Sequence, residues 1–154
     1  MIDYRIETLR HAVVIVLRDG RRVPGDVFLR SQARLHPGPE EPLDHFNDET
    51  PFFALSCHES SEVLLVAKSQ VALVELAPDP ADAGFEVPHV GLNVELELED
   101  TRTVSGCVFP ETREDRARLL DFLNQYAPAF LAIFAPDRTI LVNRRTIASV
   151  KQLS

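Results

Sequence analysis

Three blocks of this chain recur in order at nearly constant spacing. Residues 13–28, from Val13-Val14-Ile15-Val16-Leu17 through Val27-Phe28, align without a gap on residues 94–109. Val13, Leu17, Asp19, Arg21, Val23, Gly25, Val27 and Phe28 recur identically at that offset of 81. Leu43-Asp44-His45-Phe46-Asn47, with Pro51 and Phe53, meets Leu120-Asp121-Phe122-Leu123-Asn124, with Pro128 and Phe130, at an offset of 77. Leu64-Leu65-Val66, Val71 and Val74 meet Ile140-Leu141-Val142, Ile147 and Val150 at 76. A small drift is what changes in loop length produce. The blocks therefore read as an internal tandem duplication, and a repeat of this size constrains the fold more than any single motif.

Each copy reads as a bent five-stranded β unit. Val94 to Leu98 alternates apolar and acidic residues, the period of a strand with one wet face. Its counterpart, Val13 to Leu17, is apolar throughout and is expected to be covered on both faces. Asp19-Gly20 is a strong hairpin turn, and Asp100-Thr101 a weaker one. Gly25 and Gly106 sit inside the second strands, where glycine marks a bulge, a bend or a close backbone approach. Between strands two and three the copies differ. Residues 111–126, bounded by Pro110 and Pro128, have the apolar spacing of a helix. Three prolines in residues 36–42 forbid a long helix in the first copy. A proline-rich loop ending in one helical turn is expected there. The remaining strands are expected at 52–57, 63–67 and 71–76, and at 129–134, 139–143 and 147–153.

The expected fold is thus mainly β (α+β): two tandem copies of a small five-stranded bent sheet or barrel, packed together, with a helix in the second. Residues 1–12 form an N-terminal extension, in which Tyr4-Arg5-Ile6 is available as an edge strand. Residues 13–76 form the first repeat, 77–92 a linker rich in proline and glycine, and 93–154 the second repeat. Copies of this size are marginal alone, hence the expectation that they pack together.

The strand order resembles the Sm-like small barrel, a relative of SH3-type barrels. The likeness rests on residues 17–25, on Asp44-His45-Phe46-Asn47, and on the closing pair 63–67 and 71–76. The connection ahead of Asp44 is longer than that family's, and the closing turns carry Ser69-Gln70 and Arg145-Thr146 in place of its glycine. The resemblance implies oligomerisation or RNA binding. A formal charge of −8 opposes RNA, because an acidic chain repels phosphate at long range. Arg21-Arg22 and Arg144-Arg145 read as solvated turn residues.

No residue pattern points to catalysis. Cys57-His58 is the only adjacent nucleophile–base pair, and strand neighbours point to opposite faces. Cys57 is expected to pack in the core. The five histidines and two cysteines show no metal-ligand spacing, so neither metal nor cofactor is expected. The two cysteines occupy unmatched places, and the start of the chain lacks a basic leader, which together suggest a reducing, cytoplasmic setting. No apolar run is long enough to span a bilayer as a helix.

The leading expectation is a non-catalytic protein-interaction or assembly module, with a protein partner or self-association and no membrane. The first alternative is a small-ligand or nucleotide sensor binding at the junction of the copies. The second is an Sm-like nucleic-acid binder, and an enzyme is the least supported. Candidate contact residues are His36, Asp44, His45, Asn47, Asp121, Asn124, Arg144 and Arg145. For the Asp/Asn pairs the structural alternative, capping and turn formation, is favoured because both copies keep them.

Overall fold

A computed structural model describes residues 8–34, 36–77, 91–109 and 119–153. It divides into two compact units, Met1–Val74 and Glu75–Ser154. The described part is mainly β and antiparallel. No helix among the described residues is long and apolar enough to cross a membrane.

The first unit contains β1 (Thr8–Leu17), β2 (Arg22–Arg30), α1 (Pro42–Asn47), β3 (Phe52–Cys57), β4 (Val63–Ala67) and all but the last two residues of β5 (Val71–Leu76). Its strand order is β5-β1-β2-β3-β4. β1 starts earlier than the repeat alone suggests, because residues 8–12 pair with the far end of β2, Thr8 opposite Arg30. Those five residues are therefore part of the sheet. Tyr4, Arg5 and Ile6 lie outside the described residues.

The second unit contains β6 (Leu92–Leu98), β7 (Thr103–Val108), α2 (Leu119–Gln125), β8 (Phe130–Ala135), β9 (Arg138–Asn143) and β10 (Ile147–Gln152). Its strand order is β10-β6-β7-β8-β9. The expected helix over 111–126 is described from Leu119 onward and ends at Gln125, and residues 111–118 lie outside the described part. Most of the expected linker, residues 78–90, does so too. A short 3-10 turn follows the fourth strand of each unit, at Lys68–Gln70 and at Arg144–Thr146.

The alternation in β6 places Val94, Leu96 and Leu98 in the core and Asn93 and Glu97 in solvent. β1 buries Val13, Ile15 and Val16, while Val14 and Leu17 are half-buried. The core of the first unit also contains Val27, Leu29, Phe46, Phe53, Leu55, Val71 and Val74. Cys57 is buried among them, and both cysteines are free thiols.

Both hairpin turns are closed the same way. In each, the aspartate carboxylate accepts the backbone N–H two residues on, Arg21 for Asp19 and Arg102 for Asp100. The residue between must take a positive φ. Gly20 does so at 94°, and Thr101 at 72°. A β-branched side chain in the left-handed region costs on the order of 1–2 kcal/mol. Thr101→Gly is therefore expected to raise stability by about 1 kcal/mol, after the extra entropy that glycine gives the unfolded chain. Urea denaturation of the two proteins measures this directly.

Candidate functional site

The connection between β2 and β3 folds back on its own backbone. Ala33 N–H donates to the Gly38 carbonyl at 2.8 Å, and Glu40 N–H to the Arg30 carbonyl at 2.9 Å. Pro42 starts α1 at a position where a missing N–H costs nothing. Asp44, in the first turn, accepts the Glu41 N–H at 3.0 Å and also meets His36 Nε2 at 2.6 Å. His36 Nδ1 faces the Pro37 carbonyl at 3.0 Å. Both ring nitrogens thus face acceptors, an arrangement only the protonated ring satisfies fully. The bond to Asp44 accordingly raises the His36 pKa above its ordinary value. Asn47 is the last residue of α1 and is engaged in an interaction of its own.

His45 points inward. Its ring packs edge-on against Phe46 and Phe53, with centroids 5.4 and 6.2 Å away. Nδ1 lies 3.3 Å from Glu40 Oε1, while Nε2 is buried without a hydrogen-bond partner. The neutral ring fits this place, with Nδ1–H donating to Glu40 and Nε2 left as a bare lone pair. Protonation would bury an N–H donor with no acceptor. Burial accordingly pushes the His45 pKa down, and the positive charge of Lys68 adds to that shift against the pull of Glu40 and Asp48.

Lys68 completes the cluster. Its side chain is buried, and Nζ donates to Asp48 Oδ1 at 2.5 Å, to the His45 carbonyl at 3.0 Å and to Thr50 Oγ1 at 3.1 Å. Burial resists ionisation of Asp48, but the bonds from Lys68 and Thr50 outweigh it and hold the carboxyl below its usual range. Glu40, His45 and Asp48 offer three ligand atoms within 4.8 Å of one another. The Lys68 ammonium already supplies a cation to this group, and a divalent ion would have to displace it or bind beside it.

In the second unit Arg144 stands where Lys68 stands in the first, at the start of the 3-10 turn. It donates to the carbonyls of Tyr126 and Ala127 after α2, as Lys68 does to a carbonyl of α1. The backbones agree as well: Lys68 N–H donates to the Pro51 carbonyl and Arg144 N–H to that of Ala129, both at 2.8 Å. A cation beside C-terminal helix carbonyls is favourable on electrostatic grounds. Arg144 is an exposed turn residue, as expected, and its guanidinium in addition donates to backbone carbonyls. Arg145 is exposed, and its N–H donates to Asn143 Oδ1. Asp121 and Asn124 are exposed on α2.

Of the candidate residues, then, His36 and Asp44 meet, and His45 joins a cluster with Glu40, Asp48 and Lys68 that sequence reasoning missed. Asp121, Asn124, Arg144 and Arg145 belong to the other unit. The available signal for Lys68 was the basic residue that recurs at the offset of 76.

A second feature has no polar chemistry at all. β4 ends the strand order of the first unit and pairs only with β3 among the described strands. The register places Phe52, Ala54 and Ser56 on one face with Ala67, Leu65 and Val63. On that face Phe52 is 59%, Val63 58% and Leu65 74% exposed, and Leu64, on the opposite face, is 42% exposed. Its positional counterpart β9, of similar composition, buries Ile140, Leu141, Val142 and Asn143. His58, just after β3, meets Asp26 at 2.9 Å through Nε2, so that nitrogen is directed to a carboxylate and not to the thiol of Cys57.

The chain matches no protein-family model, no curated protein and no solved structure.

Proposed function

We propose that this chain is a non-catalytic protein-interaction or assembly module that associates through the outer face of β4 and the edge of that strand left unpaired among the described residues. The observation that carries this reading is the exposure of Phe52, Val63 and Leu65 together on one face of the sheet. Single exposed apolar residues are ordinary on protein surfaces. A contiguous patch at a free sheet edge is not, and such patches mark sites of association. Natural edge strands are blunted by lysine, proline or inward charge, and Val63-Leu64-Leu65-Val66-Ala67 contains none of these.

The module comprises two tandem copies of one small bent sheet. The matched sequence blocks and the shared element order, with a 3-10 turn before each closing strand, support that part of the reading. The resemblance to Sm-like barrels draws its support from the same element order. Two free thiols suit a reducing compartment, in keeping with a cytoplasmic protein.

Leu65→Lys tests the function. The side chain is largely in solvent, so the variant is expected to keep its stability within about 0.5 kcal/mol. It is also expected to lose association, read as the sum of self-association in sedimentation velocity and quantitative capture of partners from cell extract. Identical association by both proteins sinks the reading. So does a stability loss of several kcal/mol, which would mean that Leu65 is covered within the chain.

A further inference from the structure

Resting on the reading of β4 as a docking edge, we infer that its occupant is an extended segment of a partner protein, apolar in the middle and basic at its ends, that adds to the sheet beside β4. The backbone argues for an extended segment. A free edge presents a row of N–H and C=O groups, and an added strand satisfies them while its alternate side chains lie on the face of Phe52, Val63 and Leu65.

The charge around the edge argues for basic ends. From Asp48 to Ala67 the chain contains Asp48, Glu49, Glu59 and Glu62 and no lysine or arginine. Asp48 is held by Lys68, which leaves Glu49, Glu59 and Glu62, all exposed. Glu59 and Glu62 lie at the start of β4. Glu49 lies toward its other end, because the Lys68 N–H is bonded to the Pro51 carbonyl. An apolar strip with carboxylates at both ends complements a segment with lysine or arginine at both ends. The same charges disfavour other occupants. A second copy of the chain brings its own net charge of −8. Nucleic acid and anionic lipid are repelled for the same reason.

The test uses synthetic peptides of about ten residues, roughly a strand length with flanks. One alternates valine and threonine between lysine ends. A second has glutamate ends, and a third has lysine ends with a central proline. Fluorescence anisotropy is expected to show the lysine-ended peptide binding at least about tenfold more tightly than the glutamate-ended one at low salt. The gap should narrow as salt screens the exposed charges. The proline peptide is expected to lose binding, since it cannot complete the edge bonds. Hydrogen exchange should slow in β4, and Leu65→Lys should abolish both effects. No binding of the lysine-ended peptide, equal binding of the lysine and glutamate peptides, or protection away from β4 overturns the inference. Self-association that Leu65→Lys removes would leave β4 standing as a docking edge but replace the basic segment with a second copy. Association of any kind that is indifferent to Leu65→Lys overturns the underlying reading as well.

Discussion

Gly25→Ala is expected to destabilise the protein by about 2–3 kcal/mol, the upper part of the range for forcing atoms into a packed interior. A Cβ built at Gly25 falls 2.7 Å from the Ser56 carbonyl oxygen and 2.8 Å from Leu55 Cδ1. The oxygen belongs to the backbone of β3, which is hydrogen-bonded to β2 at this point, Gly25 opposite Cys57. It can yield only if the two strands separate. Gly106 meets the same obstacle in the second unit, where a Cβ would lie 2.6 Å from Ile133 Cγ2 and 2.8 Å from the Phe134 carbonyl oxygen. Gly106→Ala is expected to cost a similar amount. Gly20 supplies the control, since a Cβ there meets nothing within 4 Å and only its positive φ opposes substitution. Gly20→Ala should therefore cost about 1 kcal/mol, the penalty of a left-handed L-residue. Urea denaturation of the three variants separates steric exclusion from backbone strain. Equal losses at 20, 25 and 106 would refute close strand approach as the reason for the two strand glycines.

Those glycines mark the boundary of what could be read from the chain. Their recurrence at matched positions pointed to a bent strand, and the packing shows close backbone approach at both. The strands at 52–57, 63–67 and 71–76 were legible because short apolar runs end at turn residues. The Asp-x-Arg turn was legible at Asp19 and weaker at Asp100, where a threonine hides a left-handed residue. The exposure of β4 was not legible. Val63-Leu64-Leu65-Val66 and Ile140-Leu141-Val142 are nearly the same in composition, yet one is largely exposed and the other buried. An apolar run identifies a strand, but how far that strand is covered depends on the tertiary fold and not on its composition. The Lys68 cluster was hidden for a related reason. Lys68 lies twenty residues from Asp48, and the two meet only once β3 and β4 have paired. At the offset of 77, His45 faces Phe122 and Asp48 faces Gln125, so only the basic residue of the cluster, Lys68, has a counterpart in the second unit, Arg144.

That cluster is expected to govern the stability of the first unit and its response to acid. Removing one partner of a buried ion pair costs about 3–5 kcal/mol, because the other charge is left without compensation. Asp48 is 37% exposed, and the hydration this allows reduces the expected cost of Asp48→Ala to about 2 kcal/mol. Lys68→Met should cost less, about 1 kcal/mol, since it removes the buried ammonium and leaves a carboxylate that water can reach. The double variant should resemble Lys68→Met, a non-additivity expected only if the two side chains act as a pair. Acid acts mainly through His45. The unfolded chain takes up this proton near pH 6.5, and the folded protein only at lower pH. Between those values the unfolded state binds more protons, so stability falls as the pH drops. His36 works in the opposite direction. Its raised pKa stabilises fully below about pH 6.5 and loses that contribution as the pH rises through the folded value. Asp48 enters only in stronger acid, as the pH falls through its lowered value. The clean measurement is therefore urea denaturation from pH 7 to pH 5 in a His36→Asn background, with and without His45→Phe. Phenylalanine is chosen because Phe122 holds the aligned position at the offset of 77. With His45 present, stability should decline steadily with acid. With phenylalanine the decline should largely vanish, and Glu40 should retain its bond from the Arg30 N–H. An unchanged slope in the His45→Phe protein would mean that acid sensitivity resides elsewhere, and that the buried imidazole is not held neutral by its surroundings.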